Sequence, residues 1–86
     1  MSFAARIADS TADGVITGAG VPTVLIGGMP AAVVGDISSP VSGNIPMPFA
    51  LGSFTVLIGG KPVLRVGDIA LNGSGIILGC TSVLIG

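Results

Sequence analysis

Thr23-Val-Leu-Ile-Gly-Gly-Met-Pro-Ala-Ala-Val-Val-Gly-Asp36 returns 32 residues later as Thr55-Val-Leu-Ile-Gly-Gly-Lys-Pro-Val-Leu-Arg-Val-Gly-Asp68. Each copy reads as a β-hairpin. Val24, Leu25 and Ile26, like Val56, Leu57 and Ile58, suit a pleated, half-buried surface, and the following Gly-Gly pair supplies the left-handed backbone of a tight turn. Pro30 and Pro62 then open the return strand, a position where a missing N–H is tolerated. Each return strand closes on a Gly-Asp pair, Gly35-Asp36 and Gly67-Asp68.

The two ends of the chain carry the halves of a third copy. Ala4-Ala-Arg-Ile-Ala-Asp9 matches Ala31-Ala-Val-Val-Gly-Asp36, and Ser82-Val-Leu-Ile-Gly86 matches Thr23-Val-Leu-Ile-Gly27. Pairing of the segment from Val83 to Gly86 with that from Ala4 to Asp9 would complete three equivalent hairpins. The expected fold is therefore all-β: one domain over residues 1–86, a pseudo-threefold cone of three hairpins joined by glycine-rich loops. The first loop (10–22) and third loop (69–81) have equal length, and the second (37–54) carries five extra residues, assigned mainly to Pro46-Met-Pro-Phe-Ala50. Val15-Ile16 and Ile76-Ile77 take matching places, and no segment has a helical period.

Composition limits the function. Half of the 86 residues are apolar and only 8% are charged, against about 25% in an ordinary soluble domain, so surplus apolar surface calls for a covering partner. A net charge of −1 excludes an electrostatic grip on nucleic acid. The uncharged run 37–60 is long enough to cross a bilayer, but Pro40, Pro46, Pro48, Gly43, Asn44 and Gly52 would break it as a helix. No apolar leader precedes Arg6, Asp9 and Asp13, so synthesis in the cytoplasm is expected. The lone Cys80 reads as a small buried filler.

Strand side chains alternate, which sets Leu25, Leu57 and Leu84 against the Val24/Ile26, Val56/Ile58 and Val83/Ile85 sets. Both faces are apolar, so both must be covered, one by the loops and one by another molecule. The expectation is that the Val and Ile set fills the cone and the Leu set docks. Together the nine residues form the candidate docking base. Asp9, Asp36 and Asp68 recur at the end of each return strand and read as acceptors in turns. Arg6 with Asp9, and Arg65 with Asp68, read as an exposed, solvated rim.

The recurring hairpin, with Pro30, Ala31, Ala32, Gly35 and Asp36 in one copy, Pro62, Arg65, Gly67 and Asp68 in the next, and Arg6 and Asp9 in the split copy, resembles the PAAR-repeat proteins. The resemblance runs from Ala4 to Gly86, although Val33 stands where the motif has arginine. It implies a cone whose flat base caps a trimeric β-helical spike, one cone per trimer, and whose loops converge on a sharp tip. Such cones end the spikes of contractile phage tails, phage-like bacteriocins and type VI secretion machines. The implied role is structural and membrane-piercing, with transient contact with the target envelope and no enzymatic activity, nucleic acid or small-molecule substrate. An adaptor cone that carries an effector noncovalently is the alternative, since no further domain follows Gly86 in this sequence.

Relatives also hold a zinc ion near the tip on loop histidines and a cysteine. The matching positions here are Asp13, Ser42 and Asn72, and the chain has no histidine, so no metal or other cofactor is expected. A hard-cation site on Asp13 and Asn72 would have too few oxygen ligands. Polar contacts of these residues, with packing of Val15, Ile45 and Ile76, are expected to hold the tip instead. Gly18-Ala-Gly20 lacks the helix and lysine of a phosphate loop, and no base–nucleophile pair is apparent.

Overall fold

The computed structural model describes residues 2–41, 45–53 and 55–85. Among the described residues the fold is all-β, with strands β1 (Ser2–Ala4), β2 (Gly14–Thr17), β3 (Val21–Ile26), β4 (Met29–Ala31), β5 (Ile37–Pro40), β6 (Met47–Pro48), β7 (Leu57–Ile58), β8 (Lys61–Pro62) and β9 (Cys80–Ile85). Three antiparallel pairs make the base: β3 with β4, β7 with β8, and the split pair β1 with β9. Their registers coincide. Leu25 faces Pro30, Leu57 faces Pro62 and Leu84 faces Phe3, and one step on Ile26, Ile58 and Ile85 face Met29, Lys61 and Ser2. Gly27 and Gly28, with φ of 57° and 84°, and Gly59 and Gly60, with 61° and 79°, turn the two continuous hairpins as a two-residue loop requires.

A closed ring of backbone hydrogen bonds joins the three return strands. Ala5 N donates to Leu64 O, Leu64 N to Ala32 O, and Ala32 N to Ala5 O, at 2.9 to 3.2 Å. Outside that ring, the N–H groups of Ile7, Val34 and Val66 each donate to a neighbouring hairpin, at the carbonyls of Pro30, Pro62 and Phe3. Each return strand is thereby bonded to the next copy, so that at the centre the edge of one hairpin is covered by another. Gly20, Gly52 and Gly79 allow the close approach. A Cβ on them would stand 2.7, 2.7 and 2.6 Å from the carbonyl oxygens of Ala31, Val63 and Ala4.

Next to the ring, the loops add a second threefold layer. Ile16, Phe49 and Ile76 donate to the carbonyls of Asp9, Asp36 and Asp68, and accept from Ala8, Gly35 and Gly67. All three side chains are buried in one cluster with Ala5, Ala32 and Leu64. This corrects the expected packing in two ways. Val15 and Ile45 lie on the surface, Ile45 73% exposed, and Ile16 rather than Val15 is the partner of Ile76. The third loop carries one more residue before its core position than the first, which conceals the match. Phe49 belongs to the repeated core, so the extra length of the second loop falls ahead of Met47 and not in the segment 46–50.

Candidate docking face and tip

The base presents its leucines outward. Leu25, Leu57 and Leu84 are 60%, 62% and 51% exposed, whereas Ile26 and Ile85 are buried and Ile58 is half-buried against the same cluster. Facing residues in an antiparallel pair share a side, so Pro30, Pro62 and Phe3 lie on the leucine face. Around Phe3 and Leu84, together with Ser2 and Val66, this face dips into a shallow groove of about 240 Å³. The valines depart from strict alternation. Between Val21 and Leu25 the register against Ala31 and Pro30 shifts, and the same shift separates Cys80 from Leu84. Val24 and Val83 therefore sit in a bulge, exposed and half-buried respectively, and Val56 in the matching place is half-buried. Val56 and Val83 still pack against the inner cluster beside Ile58, so Val24 is the valine that departs from the inward set.

Three carboxylates fix the corners where return strands meet loops. Asp9, Asp36 and Asp68 accept from the backbone N–H of Arg6, Val33 and Arg65 at 2.8, 2.9 and 2.7 Å. In two copies the arginine side chain completes the corner. Arg6 makes a two-pronged pair with Asp9 (Nε 3.1 Å, Nη2 2.9 Å), and Arg65 does the same with Asp68 (3.3 and 3.1 Å). Asp9 is buried and Arg6, Arg65 and Asp68 are half-buried, which overturns the reading of a solvated rim. Their hydrogen-bonded geometry also raises the Arg6 pKa above its ordinary value, chiefly through the Asp9 side-chain bond. In the third copy, where Val33 replaces the arginine, the second Asp36 oxygen accepts from Gly20 N at 3.3 Å.

At the opposite end the loops bind one another. Asp13 O accepts from Val41 N, Ala12 N donates to Gly75 O, and Leu71 N donates to Pro48 O. Asn72 is spent on this closure: its Nδ2 donates to Ile45 O at 3.2 Å and its Oδ1 accepts from Ser74 N at 3.0 Å. Ser42 and the adjoining Gly43 and Asn44 lie outside the described residues, as do Phe54 and Gly86. The donors do not fit a zinc ion of the kind the resemblance implies. The chain has no histidine, and among the described residues no three Cys, Asp or Glu side chains converge. Cys80 is buried in the base layer, paired across from Ala4, with Sγ 3.2 Å from Ser82 Oγ. That bond lowers the thiol pKa, yet places the sulfur with the hairpins rather than with Asn72 and Asp13.

Two sets of residues escaped the sequence reading. The close-approach glycines Gly20, Gly52 and Gly79 each stand three places before the Thr or Ser that opens the repeat, a spacing visible once the copies are aligned. Ala8 occupies the place of Gly35 and Gly67 and shares their positive φ, 76° against 101° and 99°. The PAAR motif family model matches residues 7–78 of the chain. No curated protein matches it. The chain belongs to the PAAR-motif family, whose structural role is to form the spike tip of contractile injection machines.

Proposed function

We propose that the leucine face of the three hairpins seats one copy of this chain on the end of a trimeric β-helical spike, and that the loops lead the spike through the target envelope. The observation that carries the reading is the set Leu25, Leu57 and Leu84, which is repeated by the pseudo-threefold register and points outward while the neighbouring isoleucines turn inward. A base that repeats three times in one chain is matched to an end that repeats once in each of three chains. Few charges interrupt it: Lys61 at a hairpin turn is the cation outside the two Arg–Asp pairs. Assembly follows synthesis in the cytoplasm, before the machine fires, and the chain itself carries out no reaction.

Coproduction with the β-helical end of the spike from the same machine tests this. Leu57→Asp should leave a folded cone that no longer copurifies with the trimer, because a carboxylate on the face would have to be buried without a partner. Ile58→Asp should instead reduce the yield of folded chain, since Ile58 packs against the inner cluster. Copurification of both variants at the wild-type ratio would rule the base out as the docking surface.

One observation supports a second role beside the first, that of carrying cargo. Ile69, Leu71, Ile77 and Leu78 on the third loop are each more than half exposed, while the matching outward places on the first loop are Ser10, Ala12, Thr17 and Gly18. The third loop thus presents an apolar flank, on which an effector would sit without competing for the base. Its test is retention of an effector by the wild-type cone–spike complex and its loss from a Leu71→Asp complex that still assembles.

A further inference from the structure

Three buried hydroxyls lie inside the tip without a partner among the described residues: Thr11 Oγ1, Ser38 Oγ and Ser74 Oγ. Their residues are 4%, 0% and 6% exposed. Backbone pairing gives them a common orientation. Thr11 pairs with Ile76 and Ser38 with Ile16, so each shares a side with a side chain of the core cluster. Ser74 stands two residues before Ile76 and takes the same side by alternation. The third place of the Thr11–Ser38 ring is Ala70, which pairs with Phe49 and presents only a methyl group. Ser74, from the same loop as Ala70 and bonded to it through Ala70 N and Ser74 O at 2.9 Å, restores the missing hydroxyl. Each of the three loops therefore contributes one.

We propose that these hydroxyls jointly hold one buried water molecule on the pseudo-threefold axis. Unpaired buried hydroxyls are unfavourable, and an internal water characteristically makes about three hydrogen bonds to such groups. The backbone does not need them: Thr11 N donates to Gly14 O, and Ser74 N is satisfied by Asn72. A cation is the wrong occupant. All three ligands are neutral, the corner carboxylates of Asp9 and Asp36 are engaged by backbone N–H groups, and a hard cation takes six to eight oxygens. Water is neutral, donates as well as accepts, and matches three hydroxyls that do both. It would tie the three loops together.

A crystal structure of the full chain at atomic resolution, with elemental analysis of the same preparation, tests the assignment. The expected result is one well-ordered solvent peak within hydrogen-bonding distance of all three hydroxyl oxygens, without anomalous signal and without stoichiometric metal. Ser74→Ala should fold normally and show the peak weakened or displaced. Absence of the peak, hydroxyls bonded instead to backbone or to residues 42–44, an anomalous metal signal, or an unaltered peak in Ser74→Ala would each overturn it.

Discussion

The hairpin base and the loop tip solve one problem, closing three segments around an axis, by different means. At the base the solution repeats almost atom for atom: the Ala5, Ala32 and Leu64 ring, the carboxylate corners and the outward leucines recur in every copy. In the tip, repetition fades within two layers. Ile16, Phe49 and Ile76 still hold equivalent backbone positions, but beyond them an asparagine bridge and three unlike hydroxyl positions close the end. The difference teaches that symmetry is kept where backbone must meet backbone, and relaxed where side chains suffice. Backbone contacts demand a fixed conformation at each position, whereas side chains can reach a common centre from unequal loops.

The largest expected effect separates the shared core from the idiosyncratic tip. Phe49→Ala removes a fully buried ring from the central layer and should lower stability by about 3–5 kcal/mol, which for so short a chain means loss of folding at ordinary temperature. Ile45→Ala, four residues away and largely exposed, should change the urea midpoint by less than about 0.5 kcal/mol equivalent. Equal effects would show that the repeated layer does not dominate the fold.

Comparable in size to the corner variants below is a test of backbone contact. Gly79→Ala places a methyl group 2.6 Å from Ala4 O and 2.9 Å from Val66 Cγ2, where the carbonyl cannot swing aside without breaking the pairing of β1 and β9. A loss of about 1–3 kcal/mol is expected, measured as the shift of the thermal midpoint, and the same for Gly20→Ala, whose φ of 59° adds strain. Gly75→Ala, in the tip, meets nothing closer than 3.7 Å and should be nearly silent.

Legibility in the sequence follows the same division. Gly-Gly turns and the Val-Leu-Ile pattern revealed the three hairpins, including the split one, because turn chemistry leaves a fixed spacing. The inward Ile and outward Leu were also readable. Of the valines, Val56 and Val83 pack inward with the isoleucines, but Val24 is exposed, since the bulge between Val21 and Leu25 interrupts a two-residue alternation that a sequence shows as continuous. Ile16 and Phe49 were missed as core because the three loops reach that layer after unequal numbers of residues. By residue type alone the arginines read as surface groups. Only the fold reveals that Asp9 and Asp68 are drawn inward by backbone N–H donors and bring Arg6 and Arg65 with them.

Unequal corners give the third prediction. Asp9→Ala removes an acceptor for Arg6 N and an ion pair, and should cost about 2–3 kcal/mol; Asp36→Ala removes acceptors for Val33 N and Gly20 N but no ion pair, and should cost about 1–2 kcal/mol. Arg6→Ala isolates the difference, at about 1 kcal/mol or less, because the arginine end of the pair still reaches solvent and such pairs contribute little. Chemical denaturation of the three variants in parallel checks the ranking. A larger loss from Arg6→Ala than from Asp9→Ala would mean that the arginine, not the carboxylate, organises the corner.

The smallest effect has an unusual sign. Ala8 adopts a left-handed φ of 76° at the one corner where its two counterparts are glycines; its N–H bonds Ile16 O as theirs bond the matching carbonyls, and its side chain is exposed. For an L-residue this conformation costs about 1–2 kcal/mol, partly offset because alanine loses less chain entropy than glycine on folding. Ala8→Gly should therefore stabilise the protein, by about 0.5–1 kcal/mol. The converse changes, Gly35→Ala and Gly67→Ala, meet no atom within 4 Å, so their penalty is conformational and not steric. They should lower stability by a similar amount. Measured together, the three substitutions form a single conformational scale applied at equivalent corners. If Ala8→Gly destabilises while the other two also destabilise, the corners are not equivalent, and the backbone repetition that unites the base does not extend to its junction with the tip.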